Sequence, residues 1–321
     1  MATLVNEFSW SVSRAQLFGA CQRAYYYNYY GSWGGWETAA PERQRQLYIL
    51  KNIKTLPMWA GGLVHETIGD ALQRYARSGQ AITAGELQAR GRTRLRSGWV
   101  EAVNREWLTR PKKTNLHELY YGNGRSLPPE DTEALRERVY ACLAAFAESA
   151  VLREIQAVPY LNWKPVDTLD TFDLDGLKVW CAIDFAYTDP AGVLHLLDWK
   201  TGAERRESLT TQLACYALYA VETWFAPLER LRLQGVFLRE KARVSEYPVG
   251  AEMLVDAKDT ILTSAAAMRQ ALDDVEANRA SEERFAGCGN ERTCRRCNFR
   301  QACPCLVDGA PGEAEATPEE G

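Results

Sequence analysis

Near residue 167 the spacing of apolar residues changes from helical to alternating, and this switch commits the chain to an architecture that sets helices against a sheet. Upstream, Ser11 is placed to cap a helix running to about Tyr30, with Leu17, Phe18, Cys21, Ala24 and Tyr25 at helical spacing. Gly31 and Gly34-Gly35 stop it, and a polar stretch follows to Lys54. Pro57 opens a second helix whose Val64, Ile68, Ala71, Leu72 and Tyr75 form a stripe ending near Gly79. Residues 84–112 and 129–156 also read as helices. Downstream, strands are expected at 167–173 and 177–187 around an Asp175-Gly176 turn, then at 194–200, 231–239 and 242–248. Helices at about 207–224 and 251–278 interleave with them.

The strand Leu194-His195-Leu196-Leu197-Asp198-Trp199-Lys200 carries the first chemical signal. A side-chain period of two puts Asp198 and Lys200 on one face. A carboxylate there can hold a hard divalent cation against a phosphate oxygen, with an ammonium beside the attacking water. Asp184 lies on the face opposite Val179, Cys181, Ile183 and Phe185, which have the pattern of core. Antiparallel pairing of its strand with 194–200 would let Asp184 and Asp198 meet as an oxygen-rich site for magnesium or manganese. An exposed aspartate on a half-buried strand is the plainer reading.

His65 follows Gly61-Gly62, a pair that permits close approach of another backbone, and its imidazole is a candidate third ligand. A satisfied core or surface histidine is the commoner reading of a lone helical histidine. Gln212 and Tyr216 stand at i and i+4 on the helix after the Asp-Trp-Lys strand, on one face. For Tyr216 ordinary aromatic packing is the alternative.

Nine cysteines are an odd number, and five of them (Cys288, Cys294, Cys297, Cys303, Cys305) crowd one end. That pattern suits metal binding in a reducing cytosol better than a secreted disulfide framework. Cys142, Cys181 and Cys215 sit in apolar stretches as small hydrophobes. With no basic-then-apolar leader and no run of about 18 apolar residues, the expectation is a soluble, cytoplasmic chain without membrane contact. The formal charge of −4 argues against a generally basic nucleic-acid binder. Five acids after Val307 supply more than all of it, and without them the remainder stands at +1. Between Arg90 and Lys113 eight bases face two acids, with Trp99 and Trp107 interleaved. Such a segment suits phosphate neutralisation and base stacking, or a solvated helix face over core tryptophans.

Taken in order, Gly62-Leu63-Val64-His65-Glu66, Ala182-Ile183-Asp184, Leu197-Asp198-Trp199-Lys200-Thr201-Gly202 and Gln212-Leu213-Ala214-Cys215-Tyr216 resemble the RecB-like branch of the PD-(D/E)XK nuclease superfamily. The likeness is to its iron–sulfur members, such as the AddB nuclease domain and the CRISPR-adaptation nucleases. It implies a restriction-endonuclease-like α/β fold: a central mixed sheet flanked by helices, with a helical insertion and a C-terminal cysteine cluster. It also implies His65, Asp184, Asp198 and the Trp199 carbonyl as ligands of Mg2+ or Mn2+, Lys200 as the residue that positions or activates water, and Gln212 and Tyr216 as supports for substrate and sheet. Cys294-x2-Cys297-x5-Cys303, joined by Cys21, resembles the split four-cysteine ligation of a [4Fe-4S] cluster that would staple the chain ends. Cys288 and Cys305 are extra to that pattern, and a zinc site built from the C-terminal thiols without Cys21 stays open.

The resemblance thus implies a single nuclease domain over residues 1–306, with a helical insertion at 80–160 forming a substrate arch or partner surface. Within it, an iron–sulfur segment at 288–305 closes onto Cys21, and a disordered acidic tail occupies 307–321. The expected activity is metal-dependent hydrolysis of DNA, as an exonuclease on single strands, with partners in recombination, repair or CRISPR adaptation. A non-catalytic nucleic-acid-binding or assembly module of the same fold and a zinc-stabilised interaction protein are the alternatives.

Overall fold

In a computed structural model, residues 4–122, 126–164, 168–204 and 206–304 are described; the acidic tail, Cys305 and the Asn123-Gly124 pair lie outside them. The first expected helix is two: Val12–Ala20 (α1), capped by Ser11, and Gln22–Tyr26 (α2), followed by a π-type turn over Tyr27–Gly31. Cys21 is the break between them, in extended backbone (φ −166°, ψ 111°). The polar stretch contains a helix that its composition hides, Glu42–Lys51 (α3), which buries Leu47, Tyr48 and Leu50. Ile53–Lys54 (β1) then leads into Leu56–Ser78 (α4), which ends on a left-handed Gly79 as expected.

The insertion is helical but more broken than its periodicity suggests. Ala84–Val103 (α5) stops before Arg105, whose backbone is left-handed, and Trp107 follows in a short 3-10 turn. Asn115–Leu116 (β2) pairs parallel with β1 ahead of His117–Tyr120 (α6). Pro129–Glu148 (α7) and Ala150–Ala157 (α8) are separated by Ser149, whose side chain caps the second helix and thereby ends the first. On α5, Gly91 and Gly98 are seven residues apart and face the core: a Cβ would meet Leu143 Cδ1 at 2.7 Å and Trp59 Cζ2 at 2.7 Å. Small residues let α4, α5 and α7 pack closely there.

The expected 177–187 strand is also two elements. Thr168–Leu174 (β3) and Leu177–Ile183 (β4) form an antiparallel hairpin, while Phe185–Thr188 (β5) leaves it for the main sheet. Asp184 is the hinge. The main sheet runs β5, Leu194–Lys200 (β6), Leu231–Phe237 (β7), Arg243–Tyr247 (β8), with β6 and β7 parallel and the outer pairs antiparallel. It is the mixed sheet expected of the fold. Arg206–Trp224 (α9) and Ala251–Gln270 (α10) pack on one face, the latter ending eight residues short of expectation. Glu291–Arg295 (α11) opens the cysteine segment.

Alternation along the sheet divides the interior into two cores. Phe185, Tyr187, Leu197, Trp199 and Val236 point to α4, α5, α7 and α8; Ala186, Leu194, Leu196 and Leu233 point to α9 and α10. Cys142, Cys181 and Cys215 are buried as expected. No helix among the described residues is long and apolar enough to cross a membrane.

The two chain ends are joined without recourse to thiols. Phe285 is fully buried among Tyr25, Tyr26 and Tyr30. Glu282 accepts from Tyr27 Oη (2.6 Å), Arg23 Nη1 (2.9 Å) and Arg43 Nη2 (3.1 Å). Burial alone would raise the Glu282 carboxyl, but these donors hold it below its ordinary value. Its folded value being depressed, the stabilisation is complete above the usual glutamate range near ~4.3 and is lost as pH falls through the folded value. Glu282→Ala should cost about 1–3 kcal/mol by leaving Tyr27 and Arg23 unpaired, and urea titrations of the variant should show a shallower stability loss below pH ~4.3 than the parent.

Candidate active site

Three segments meet where β5 turns away from β4. Extending the β5–β6 register beyond Phe185↔Leu197 sets Asp184 opposite Asp198. Asp184 Oδ2 accepts the Trp199 backbone N–H at 2.7 Å, and Oδ1 lies 3.1 Å from His65 Nδ1. The break at Asp184 therefore has a cause: its carboxylate takes up a donor of the neighbouring strand and turns its own chain aside. His65 arrives because α4 passes close to the strand end. A Cβ on Gly61 would meet Thr201 Oγ1 at 3.2 Å, so this glycine does allow close approach, to a side chain, whereas Gly62 faces open space.

Asp198 has no exposed surface. Burial first, then the Asp184 charge, pushes its carboxyl above the usual range, while Lys200 and His65 oppose the shift. Its surroundings form a closed circuit. Tyr216 Oη donates to Asp198 Oδ1 (3.0 Å), Gln212 Nε2 donates to Tyr216 Oη (2.8 Å), Lys200 Nζ donates to Gln212 Oε1 (2.9 Å), and Lys200 Nζ lies 2.6 Å from Asp198 Oδ2. That last contact is ionic rather than an aligned hydrogen bond, so Oδ2 is a buried oxygen without a hydrogen-bond donor of its own. Burial by itself lowers the His65 imidazole, but the Asp184 carboxylate beside it prevails and raises it to about 9. Asp198 is closed off, whereas the His65 and Lys200 side chains stay 29% and 30% exposed, which gives the site its mouth.

All six residues singled out for chemistry thus converge. Gln212 and Tyr216 hold Lys200 and Asp198 of the sheet, and Tyr216 is 3% exposed. Trp199 is packed against Phe146 and Phe185, and the bond the structure gives its backbone is the N–H to Asp184. Among the described residues no three His, Cys, Asp or Glu side chains, here or among the thiols, form a ready-made metal cage. The donor set nonetheless suits a hard cation: two carboxylates, one with an underused oxygen, beside an imidazole. Arg138 on α7 was not legible in sequence; its Nη2 donates to the Thr201 carbonyl (2.8 Å) and braces the strand end from the insertion.

The thiols gather beside the first turn of α4, at Met58. Cys21, Cys288, Cys294, Cys297 and Cys303 all line one cavity of about 680 Å3, together with Lys51, Lys54 and Arg296. Cys288 Sγ is 3.8 Å from Cys294 Sγ. Cys288 therefore joins the group from which the resemblance left it out, and Cys21 joins it where a purely C-terminal zinc site would not need it. Soft donors in this number suit an iron–sulfur cluster. The break at Cys21 frees its side chain from the helix stripe. Arg300 stacks over Tyr121 at 3.8 Å and Arg295 pairs with the exposed Glu291.

A family model described as the PD-(D/E)XK nuclease superfamily matches residues 9–304. No curated protein matches the chain significantly.

Tyr216→Phe removes the donor of buried Asp198 and the acceptor of Gln212 at once. It should lower unfolding free energy by about 1–3 kcal/mol, read from the urea midpoint at unchanged slope.

Proposed function

Because the chain belongs to the PD-(D/E)XK nuclease superfamily, whose members are generally hydrolytic nucleases using Mg2+ or Mn2+, we propose that it is a metal-dependent deoxyribonuclease of the RecB-like branch, an exonuclease acting on single-stranded DNA. The observation that carries this reading is the meeting of His65, Asp184, Asp198 and Lys200, drawn from α4, the β4–β5 hinge and β6, at one mouth. His65, Asp184, Asp198 and the Trp199 carbonyl would hold the cation. When bound it supplies a polarised phosphate and a more acidic water.

The residues' own contributions follow from their contacts. Lys200 donates one of its three N–H groups to Gln212 and pairs ionically with Asp198, leaving N–H groups for the attacking water or a phosphate oxygen. Gln212 and Tyr216 keep that amine and the Asp198 carboxylate in place, so neither must reorganise during the reaction. Asp184 orients His65 and is itself fixed by the Trp199 N–H. In the same reading Cys21, Cys294, Cys297 and Cys303 hold a [4Fe-4S] cluster, which would add a covalent tie to the aromatic and ionic one already joining the chain ends. Partners in recombination, repair or CRISPR adaptation follow from the branch assignment alone.

Purified chain with Mn2+ should degrade labelled single-stranded DNA, and Asp198→Ala or Lys200→Ala should lower the rate at least ~100-fold, on the scale of lost electrostatic and proton-transfer groups. A folded, DNA-binding chain with no cleavage under Mg2+ or Mn2+ would make it the non-catalytic module instead. Anaerobic purification should yield a brown protein with iron and sulfide, both lost in Cys21→Ser. A colourless protein containing zinc, unaffected by Cys21→Ser, would reject the cluster.

A further inference from the structure

We propose that a groove between α5 and α7, separate from the site of His65, Asp184 and Asp198, holds a stretch of single-stranded DNA, with a base stacked on Trp99 and phosphates neutralised by Arg92, Arg96 and Arg136. The proposal deepens the nuclease reading and rests on it for the identity of the strand.

The basic segment is not the uniform stripe its composition suggests. Arg90 is held by Glu86 (3.1 Å), Arg110 by Glu106 (2.8 Å), Lys113 by Glu101 (2.6 Å), and Arg94 by Asp70. Trp107 is buried against Tyr120. What remains is ordered. Arg92, Leu95, Arg96 and Trp99 stand at i, i+3, i+4 and i+7 on α5, and Thr132, Arg136 and Tyr140 recur every four residues on α7. These two stripes face each other across a groove of about 510 Å3, floored by the buried Trp59. Its volume lies in the range of small-ligand sites.

Charge and ring chemistry within the groove fit a nucleic-acid strand. Among the described residues no carboxylate lines it. Among the described residues Arg96 is exposed and has no ion-pair partner; Arg92 leans on Tyr140, its Nε 3.2 Å from the Tyr140 oxygen; Arg136 pairs with Glu133 three residues back, both about half exposed, a surface contact weak enough for a phosphate to replace. Two further hollows adjoin the groove at Arg92, one past Arg96 to Lys113 and the other along Arg136. Glu101 and Glu106 in the first are already paired, and Glu137 is the acid in the second. Guanidinium groups spaced along an open channel, beside a half-exposed indole, match a backbone with splayed bases; a duplex keeps its bases stacked inside.

Helical geometry keeps this groove apart from the chemistry. Trp59 and His65 are six residues apart on α4, so they point about 120° apart around its axis. Arg92, Arg96 and Trp99 therefore hold flanking strand and touch no reacting atom.

The test is fluorescence anisotropy of the full chain with fluorescein-labelled dT20, without added divalent metal, over a series of salt concentrations. Arg92→Glu/Arg96→Glu should weaken binding at least ~10-fold and flatten the salt dependence by about two ion equivalents. Trp99→Ala should weaken it about 10-fold at unchanged salt slope, with Trp99→Phe recovering most of the loss. Thermal melts matching the parent establish that the arginine variants, which alter exposed positions, are folded. Parent-like dT20 binding by the arginine variants and Trp99→Ala overturns the groove, as does equal loss of binding to a 20-base-pair duplex. Cleavage with Mn2+ is scored separately. A parent that cleaves while its dT20 binding ignores these residues sinks the groove alone; a parent that never cleaves but binds through Arg96 and Trp99 supports the groove and sinks the nuclease reading.

Discussion

A carboxylate with no exposed surface is the constraint around which this molecule is arranged. Burying Asp198 without compensation would be costly, and the cost is offset only if an amine and hydroxyl reach it from fixed directions. Lys200 comes from two residues along the same strand, and Tyr216 from α9, so docking of α9 on the sheet and solvation of Asp198 are one requirement. The second carboxylate, Asp184, works against Asp198 electrostatically and is held by the Trp199 N–H and His65. Structure of this kind stores repulsion between two acids that a cation would relieve, which is why the arrangement reads as a site and not as ordinary packing.

The insertion is not an appendage to this centre. Arg138 reaches the Thr201 carbonyl, Phe146 packs edge-on to Trp199, and Thr201 fills the space left by Gly61. Each contact falls within a residue or two of Lys200. The same helix α7 that braces the strand end on one side offers Arg136 and Tyr140 to the groove on its other side. Any strand lying along that groove is thus one helix diameter of packed side chains from the chemistry.

Much of the organisation was legible in local patterns. The alternation of 194–200, the stripe of α4 and its Gly79 stop, and the i, i+4 pair Gln212 and Tyr216 all stand where the periods place them. The misses share a cause: interruptions made by a single residue. Asp184 breaks a strand, Cys21 and Ser149 break helices, and each has ordinary neighbours on both sides, so the period carries across the break. Helix α3 was hidden for the opposite reason, since its charged surface outweighs Leu47, Tyr48 and Leu50. Cys288 is another such case. A spacing pattern named four thiols, but only proximity could show that a fifth lines the same cavity.

What the sequence determined by itself was which groups face which way along each element, because a strand's period of two and a helix's period of 3.6 are local properties of the backbone. What the tertiary structure alone decided was which groups meet: His65 with Asp184, Arg138 with Thr201, Cys21 with Cys288, and which arginines of the basic segment are already neutralised. Those meetings depend on loop closures over tens to hundreds of residues, and no local period records where a closed loop lands.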